Sequence, residues 1–114
     1  MKTTKDLEKN TAHIIVEIME YVHDAVVSRT IIKKTSGNIT ATSIATGEEL
    51  CEKTNPFDTY VQIIDGAAEL IIADKPFFLK LGEGIIIPAN TKHCFTANER
   101  FKMITTVIKS GYEE

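Results

Sequence analysis

The chain has 114 residues, of which 43% are hydrophobic and 25% are charged, and its formal net charge is -3 at pH 7. This size and composition predict one globular domain with a core of its own. The acidic balance and the scattered lysines argue against nucleic acid, which is bound by basic patches. No apolar run approaches the ~20 residues of a spanning helix and the polar N-terminus lacks a signal-peptide core, so we expect a cytoplasmic protein without membrane contact.

Residues 1–24 form an N-terminal segment that we expect to be partly flexible, because its first ten residues are polar and charged. Between His13 and Val22 the apolar residues fit one face of a helix, although the run from Ile14 to Ile18 is also compatible with a strand. The sequence therefore predicts either a short helix or an extended segment before the main domain.

From Ala25 onward, short apolar segments alternate with turn signals. The predicted strands are 25–33, 38–46, 59–64, 67–73, 77–81, 84–87, 92–97 and 101–109. Asp65-Gly66 is typical of a hairpin turn. Because no helix-length segment separates these strands, residues 25–110 are predicted to form an all-β sandwich or small barrel.

The two cysteines, Cys51 and Cys94, lack C-x-x-C spacing, which favours reduced thiols over a disulfide framework. Strand alternation sends Cys94 to the face opposite its neighbour His93, and we therefore do not expect a Cys51–Cys94 bond. Cys51 is then either a small buried apolar residue or a thiol activated by Lys53 or His93.

The stretch from Gly82 to His93 carries the strongest local signal in the chain. A glycine-rich turn leads into the apolar run Ile85–Ile87, Pro88 ends it because proline cannot donate to a sheet, and His93 follows. This order places a ligand or proton-transfer group at the mouth of a β-structure.

This stretch resembles the second motif of the cupin family, which runs Gly, five residues, Pro, one residue, Gly, two residues, His, three residues and Asn. The corresponding residues here are Gly82, Pro88, Asn90, His93 and Ala97. Asn90 is a mild replacement for the second glycine, since asparagine tolerates positive φ. The resemblance covers the whole β-region and implies a cupin-like double-stranded β-helix, that is, a jelly-roll barrel.

The first cupin motif is matched only in its two glycines, Gly47 and Gly66. Where the family carries two histidines and a glutamate, this sequence has Lys53, Asn55 and Thr59, or Tyr60 with the longer spacing. Of the four usual metal ligands, His93 alone is present. A single imidazole near an ammonium group is a poor transition-metal site, so the resemblance implies a degenerate metal site and no cofactor. The alternative is a divalent transition metal held through His93 and an unusual ligand set.

Period-two alternation places Cys51, Lys53 and Asn55 on one face, and the geometry of the family turns that face into the barrel, toward His93. The last strand adds a row that contains either Met103 or its neighbours. The candidate pocket residues are therefore Cys51, Lys53, Asn55, His93 and Met103. In the structural alternative, Lys53 extends out of the barrel mouth and His93 is a hydrogen-bonded core residue.

These residues predict a metal-free protein that binds a small molecule, including an anionic one, with Lys53 as charge partner and His93 as donor. The alternatives are a cupin-type enzyme, as a metal-dependent isomerase or oxygenase or as an acid–base catalyst using His93 and Lys53, and a purely structural partner protein. We also expect a homodimer, because small cupins resemble sheet-paired dimers and edge strands need cover.

Overall fold

The computed structural model describes residues 2–3, 5–52 and 54–111. Their strands are β1 (Lys2–Thr3), β2 (Val26–Lys34), β3 (Gly37–Ile44), β4 (Glu49–Glu52), β5 (Thr59–Asp65), β6 (Ala68–Ile72), β7 (Lys75–Leu79), β8 (Gly84–Ile87), β9 (His93–Thr96) and β10 (Phe101–Ile108). Within these ranges, no helix is both long enough and apolar enough to cross a membrane.

The strands form two sheets that enclose the core. One sheet has six strands in the order β1-β2-β3-β10-β5-β8, and the other has four in the order β4-β9-β6-β7. Neighbouring strands are antiparallel except β1 and β2, which are parallel. The chain crosses between the sheets after β3, β4, β5, β7, β8 and β9, which gives the all-β jelly-roll barrel that the sequence predicts.

The core follows from alternation along the strands. On β5, Val61 and Ile63 are fully buried, whereas Tyr60 between Thr59 and Val61 is 41% exposed. Opposite them, Leu70 of β6 and Phe95 of β9 are also buried. Each such side chain contributes about 1.5–3 kcal/mol when it leaves water, so the inward rows hold the two sheets together.

Each of the eight predicted strands overlaps an observed one, and those predictions are confirmed. The prediction missed β1, a polar pair of residues that joins the sheet beside β2, and β4, whose four residues Glu-Leu-Cys-Glu contain too little apolar alternation to stand out. It also began β7 two residues late, because Pro76 reads as part of a turn. Proline is tolerated there because β7 lies at the edge of its sheet.

The N-terminal segment is extended or irregular apart from one 3-10 turn at Ile15–Glu17. Its bonds reach across to the barrel instead of running along a helix: Lys102 Nζ donates to the Val16 carbonyl at 2.6 Å, and Ser43 Oγ donates to the Glu20 carbonyl at 2.8 Å. Between His13 and Val22 neither a regular α-helix nor a strand forms: Ile15–Glu17 makes one 3-10 turn, and the rest is irregular because tertiary partners satisfy its backbone.

The hairpin predicted at Asp65-Gly66 is wrong. Strands β5 and β6 belong to different sheets, and this turn carries the chain from one sheet to the other, with Gly66 at φ +72°. A two-residue hairpin occurs instead between β6 and β7, where Ala73 and Asp74 both have positive φ. Asparagine at position 90 also has positive φ, +61°, as expected from its place in the second motif.

Candidate functional site

A cavity of about 330 Å³ lies between the two sheets. One part of its lining is polar and consists of Ser28, Asn38, Thr40, Thr42, Thr59 and Thr105. The apolar part consists of Leu50, Val61, Ile87, Phe95, Met103 and Val107. His93 completes the lining, so the cavity combines hydroxyl groups, an apolar surface and one imidazole.

The polar wall arises from the register of the large sheet. Thr105 of β10 lies opposite Thr40 of β3, and Met103 lies opposite Thr42. Thr42 Oγ1 also lies 3.1 Å from the hydroxyl oxygen of Ser28 on β2. Because a hydroxyl both donates and accepts hydrogen bonds, these side chains can serve each other when the cavity is empty and a polar ligand when it is filled.

His93 is the first residue of β9 and is only 4% exposed. Its Nδ1 lies 3.4 Å from the Thr91 carbonyl oxygen, to which a protonated Nδ1 donates. The ring packs edge-on against Phe95 with the centroids 5.9 Å apart. In the neutral tautomer with Nδ1 protonated, Nε2 is a hydrogen-bond acceptor.

The last strand presents the row Met103, Thr105 and Val107 to the cavity, and Met103 is 1% exposed. Thr59 also faces the cavity, whereas its neighbour Tyr60 lies on the outside of the sheet. With the shorter spacing of the first motif, the glutamate position of the family falls on Thr59, whose side chain faces the cavity. A hydroxyl therefore occupies the position where the family carries a carboxylate.

Cys51 does not line the cavity. It lies directly opposite Cys94 in the β4–β9 ladder, with the Cα atoms 4.1 Å apart, and the two residues form a disulfide. The predicted reduced thiols and the predicted absence of this bond are both wrong. Cys94 does point away from His93, as alternation requires, but the register turns Leu50 inward and Cys51 outward, so that both cysteines share the outer face.

Asn55 belongs to the turn before β5 and not to the cavity lining. Its side-chain oxygen accepts from the Phe57 N–H at 2.9 Å, and its carbonyl accepts from the Asn90 N–H at 2.6 Å. Nearby, Asp58 Oδ1 accepts from the Ala89 N–H at 2.8 Å, so both polar side chains shape the rim. Lys53, the predicted charge partner, lies outside the described residues.

The sequence analysis missed the contribution of β2 and β3 to the site. Asn38, Thr40 and Thr42 recur with a period of two, and this pattern was available as a signal. Threonine and asparagine are weaker markers of a site than imidazoles, thiols and charged groups, because they are also common on solvent-facing strands. Threonines on a strand are usually assigned to the solvent side, whereas here the register turns them into the barrel.

A transition metal does not fit the described lining. His93 is its only imidazole, and no carboxylate or thiolate of the described residues joins it there. Across residues 2–3, 5–52 and 54–111, no group of three histidine, cysteine or acidic side chains is placed to hold a metal ion. Transition-metal sites in proteins use about three or four such ligands.

No protein-family model and no curated protein matches the sequence. Solved structures do match it. A conserved protein of unknown function from Streptococcus pyogenes is 27% identical, with a TM-score of 0.86 over 94% of each chain. A cupin superfamily protein from Desulfitobacterium hafniense is 24% identical, with a TM-score of 0.85 over 93% of this chain and 97% of that one.

A cupin 2 conserved barrel domain protein from Leptotrichia buccalis is 34% identical, with a TM-score of 0.79. The match covers 82% of this chain and 46% of that chain, so it spans about half of the Leptotrichia protein. These likenesses agree with the jelly-roll topology. The chain therefore belongs to the cupin superfamily.

Proposed function

We propose that this cupin binds a small polar molecule in the barrel cavity without a metal ion. The observation that carries the proposal is the cavity itself: about 330 Å³, lined by five hydroxyl side chains, an apolar surface and His93. Ligand pockets in proteins have volumes of about 300–1,000 Å³ and combine apolar walls with a few polar groups.

The two walls define the ligand class. A molecule with hydroxyl, carbonyl or carboxylate groups on one side would bond to Thr40, Thr42 and Thr105. Its apolar side would pack on Phe95. His93 would orient a polar group of the ligand through Nε2. Lys53, the charge partner expected from the sequence, would neutralise an anionic ligand.

Paired substitutions on β10 test this binding site. Thr105→Val removes an inward hydroxyl, whereas Thr106→Val changes the next side chain, which is absent from the lining. Saturation-transfer NMR with monosaccharides, hydroxy acids and aromatic carboxylates would supply a ligand for titration. We expect about 3- to 10-fold weaker binding for Thr105→Val, the effect of one lost hydrogen bond, and unchanged binding for Thr106→Val.

Equal effects of the two substitutions would contradict binding in the cavity. Elemental analysis of the untagged protein tests the metal-free part of the proposal, and near-stoichiometric transition metal would overturn it. Turnover of a bound ligand that disappears in His93→Ala would replace binding by acid–base catalysis.

We further propose that the protein is a cytoplasmic homodimer. The support for pairing is the open edge of the six-stranded sheet at β8, where unpaired backbone groups lie beside the exposed Ile86. A second copy would satisfy both the edge and the apolar side chains.

A further inference from the structure

We propose that the Cys51–Cys94 disulfide is a reversible redox switch that controls access to the barrel cavity. The proposal concerns the regulation of the cavity and rests on the proposed function to that extent. It is carried by the place of the disulfide in the fold: the bond joins an edge strand to the strand that supplies His93.

Strand β4 is the edge of the four-stranded sheet, and its one neighbour in that sheet is β9. On β4, the inward Leu50 lines the cavity and the next residue, Cys51, lies exposed on the outer face. On β9, the inward His93 lines the cavity and the next residue is Cys94. On both strands, the sulfur is therefore one residue away from the cavity wall.

The outer surface beside the disulfide is not flat. A depression of about 230 Å³ is lined by Ile71, Ala73, Asp74, Lys92, His93 and Cys94. His93 lines both this depression and the interior cavity, so a displacement of β9 at Cys94 would alter both spaces. Cys51 is the more exposed residue of the two, so an attacking thiolate would approach its sulfur first.

A dithiol can reduce this disulfide without any further reactant, because it supplies both electrons itself. One thiolate of the dithiol attacks Sγ of Cys51, forms a mixed disulfide and displaces Cys94 as a thiolate. The second thiolate attacks the reductant's own sulfur in the mixed disulfide, closes the reductant's disulfide and releases Cys51. Two electrons pass to the protein, and the two released thiolates take up protons from water.

The backbone determines how β4 would then move. At its start the chain is anchored to the end of β9, because the Gly47 N–H donates to the Ala97 carbonyl at 2.7 Å and the Ala97 N–H donates to the Glu48 carbonyl at 3.0 Å. The disulfide lies farther along, near the end of β4. After reduction, β4 would be held to β9 by the backbone ladder from Glu49 to Glu52 without a covalent cross-link. Opening of this edge strand from its far end, about Glu48 as hinge, would then move Leu50 away from the cavity.

In a cytoplasmic protein, thiols are kept reduced by the surrounding thiol pool, and disulfides that do form there are usually transient. An exposed disulfide on an edge strand fits a reversible role better than a permanent cross-link under those conditions. The oxidised form would close the cavity wall, and the reduced form would admit or release the ligand.

The test compares oxidised protein with protein reduced by dithiothreitol, after removal of the reductant, and with the double variant C51S/C94S. Carbethoxylation of His93 by diethyl pyrocarbonate reports exposure of this imidazole, which is 4% exposed in the oxidised form, and His23, whose side chain is 94% exposed, is the internal control. Amide hydrogen exchange of β4, β5 and β10 reports where the structure opens. Neither readout uses a ligand, so the result is independent of whether the proposed small molecule is found.

We expect His93 to react at least 10-fold faster in the reduced protein and in the double variant, with the rate at His23 unchanged. Amide protection in β4 should fall while β5 and β10 remain protected. The proposal is overturned if the air-oxidised protein carries two free thiols, or if the rate at His93 changes less than 2-fold after complete reduction. Loss of protection throughout the barrel would also overturn it, because the bond would then be a structural cross-link.

Discussion

At the scale of single residues, the barrel end that faces the N-terminal segment is held by a cluster around Tyr21. The phenol donates to Asp65 Oδ2 at 2.6 Å, and the Arg100 guanidinium lies 4.4 Å from the ring centroid. Lys102 Nζ lies 4.9 Å from the same centroid. Desolvation by burial and then the bond to Asp65 raise the pKa of Tyr21 well above its ordinary value.

This raised pKa predicts a loss of stability in strong base. The unfolded chain releases the Tyr21 proton near pH 10, about the ordinary value for tyrosine, whereas the folded protein keeps it. The contribution is therefore fully present below about pH 10 and is lost as the pH rises toward the folded pKa. Urea unfolding at pH 8 and pH 11 measures how much the free energy of unfolding falls between these two pH values. This fall should be smaller for Tyr21→Phe than for the unaltered protein. Equal losses would contradict this assignment.

At the scale of elements, the two glycines of the first motif have different reasons to be glycine. Both have positive φ, +88° at Gly47 and +72° at Gly66. A Cβ at Gly47 would meet nothing within 4 Å, whereas one at Gly66 would collide with the backbone of Arg100 and Phe101. The turn between β5 and β6 therefore needs glycine for its conformation and for the close approach of β10.

We expect Gly47→Ala to lower the free energy of unfolding by about 1–2 kcal/mol, the cost of a left-handed conformation in a residue with a Cβ. Gly66→Ala should cost clearly more, because the strain and the backbone collision add. Urea denaturation of both variants measures the difference. A smaller effect at Gly66 than at Gly47 would show that the β5–β6 turn adjusts and does not hold β10 at this distance.

At the scale of the whole molecule, the large sheet ends in the open strand β8, and its neighbour β5 adds to the exposed surface. Ile86 is 64% exposed and lies directly opposite Tyr60, which is 41% exposed. An edge with unpaired backbone and apolar side chains favours pairing with a second copy.

We therefore expect light scattering after size exclusion to give twice the mass of the chain at micromolar concentration. Ile86→Lys should shift the protein toward monomer, because it places a charge at that edge. Phe78→Lys is the matched control, since Phe78 is comparably exposed, at 68%, but lies on β7 of the other sheet. A monomeric unaltered protein would overturn the dimer, and dissociation by Phe78→Lys alone would move the interface to the other sheet.

The sequence by itself determined the positions of eight strands, an all-β sandwich or barrel, and the placement of His93 after Pro88, while the resemblance to the cupin family narrowed the barrel to a jelly roll. These features are local: period-two alternation, glycine or asparagine at positive φ, and proline at a strand end act within a few neighbouring residues. The sequence left open whether Thr59 or Tyr60 faces the cavity and which of the two alternating rows of β10 faces inward. Either face of a strand satisfies the same period-two pattern.

Only the tertiary structure decided which side chains meet. It paired Cys51 with Cys94, turned Leu50 inward in place of Cys51, and joined the hydroxyls of β2, β3, β5 and β10 into one wall. These outcomes depend on register between strands that are far apart in the chain. A shift of one residue in register exchanges the two faces of a strand, and the packing of both sheets, not the local sequence, selects among the possibilities.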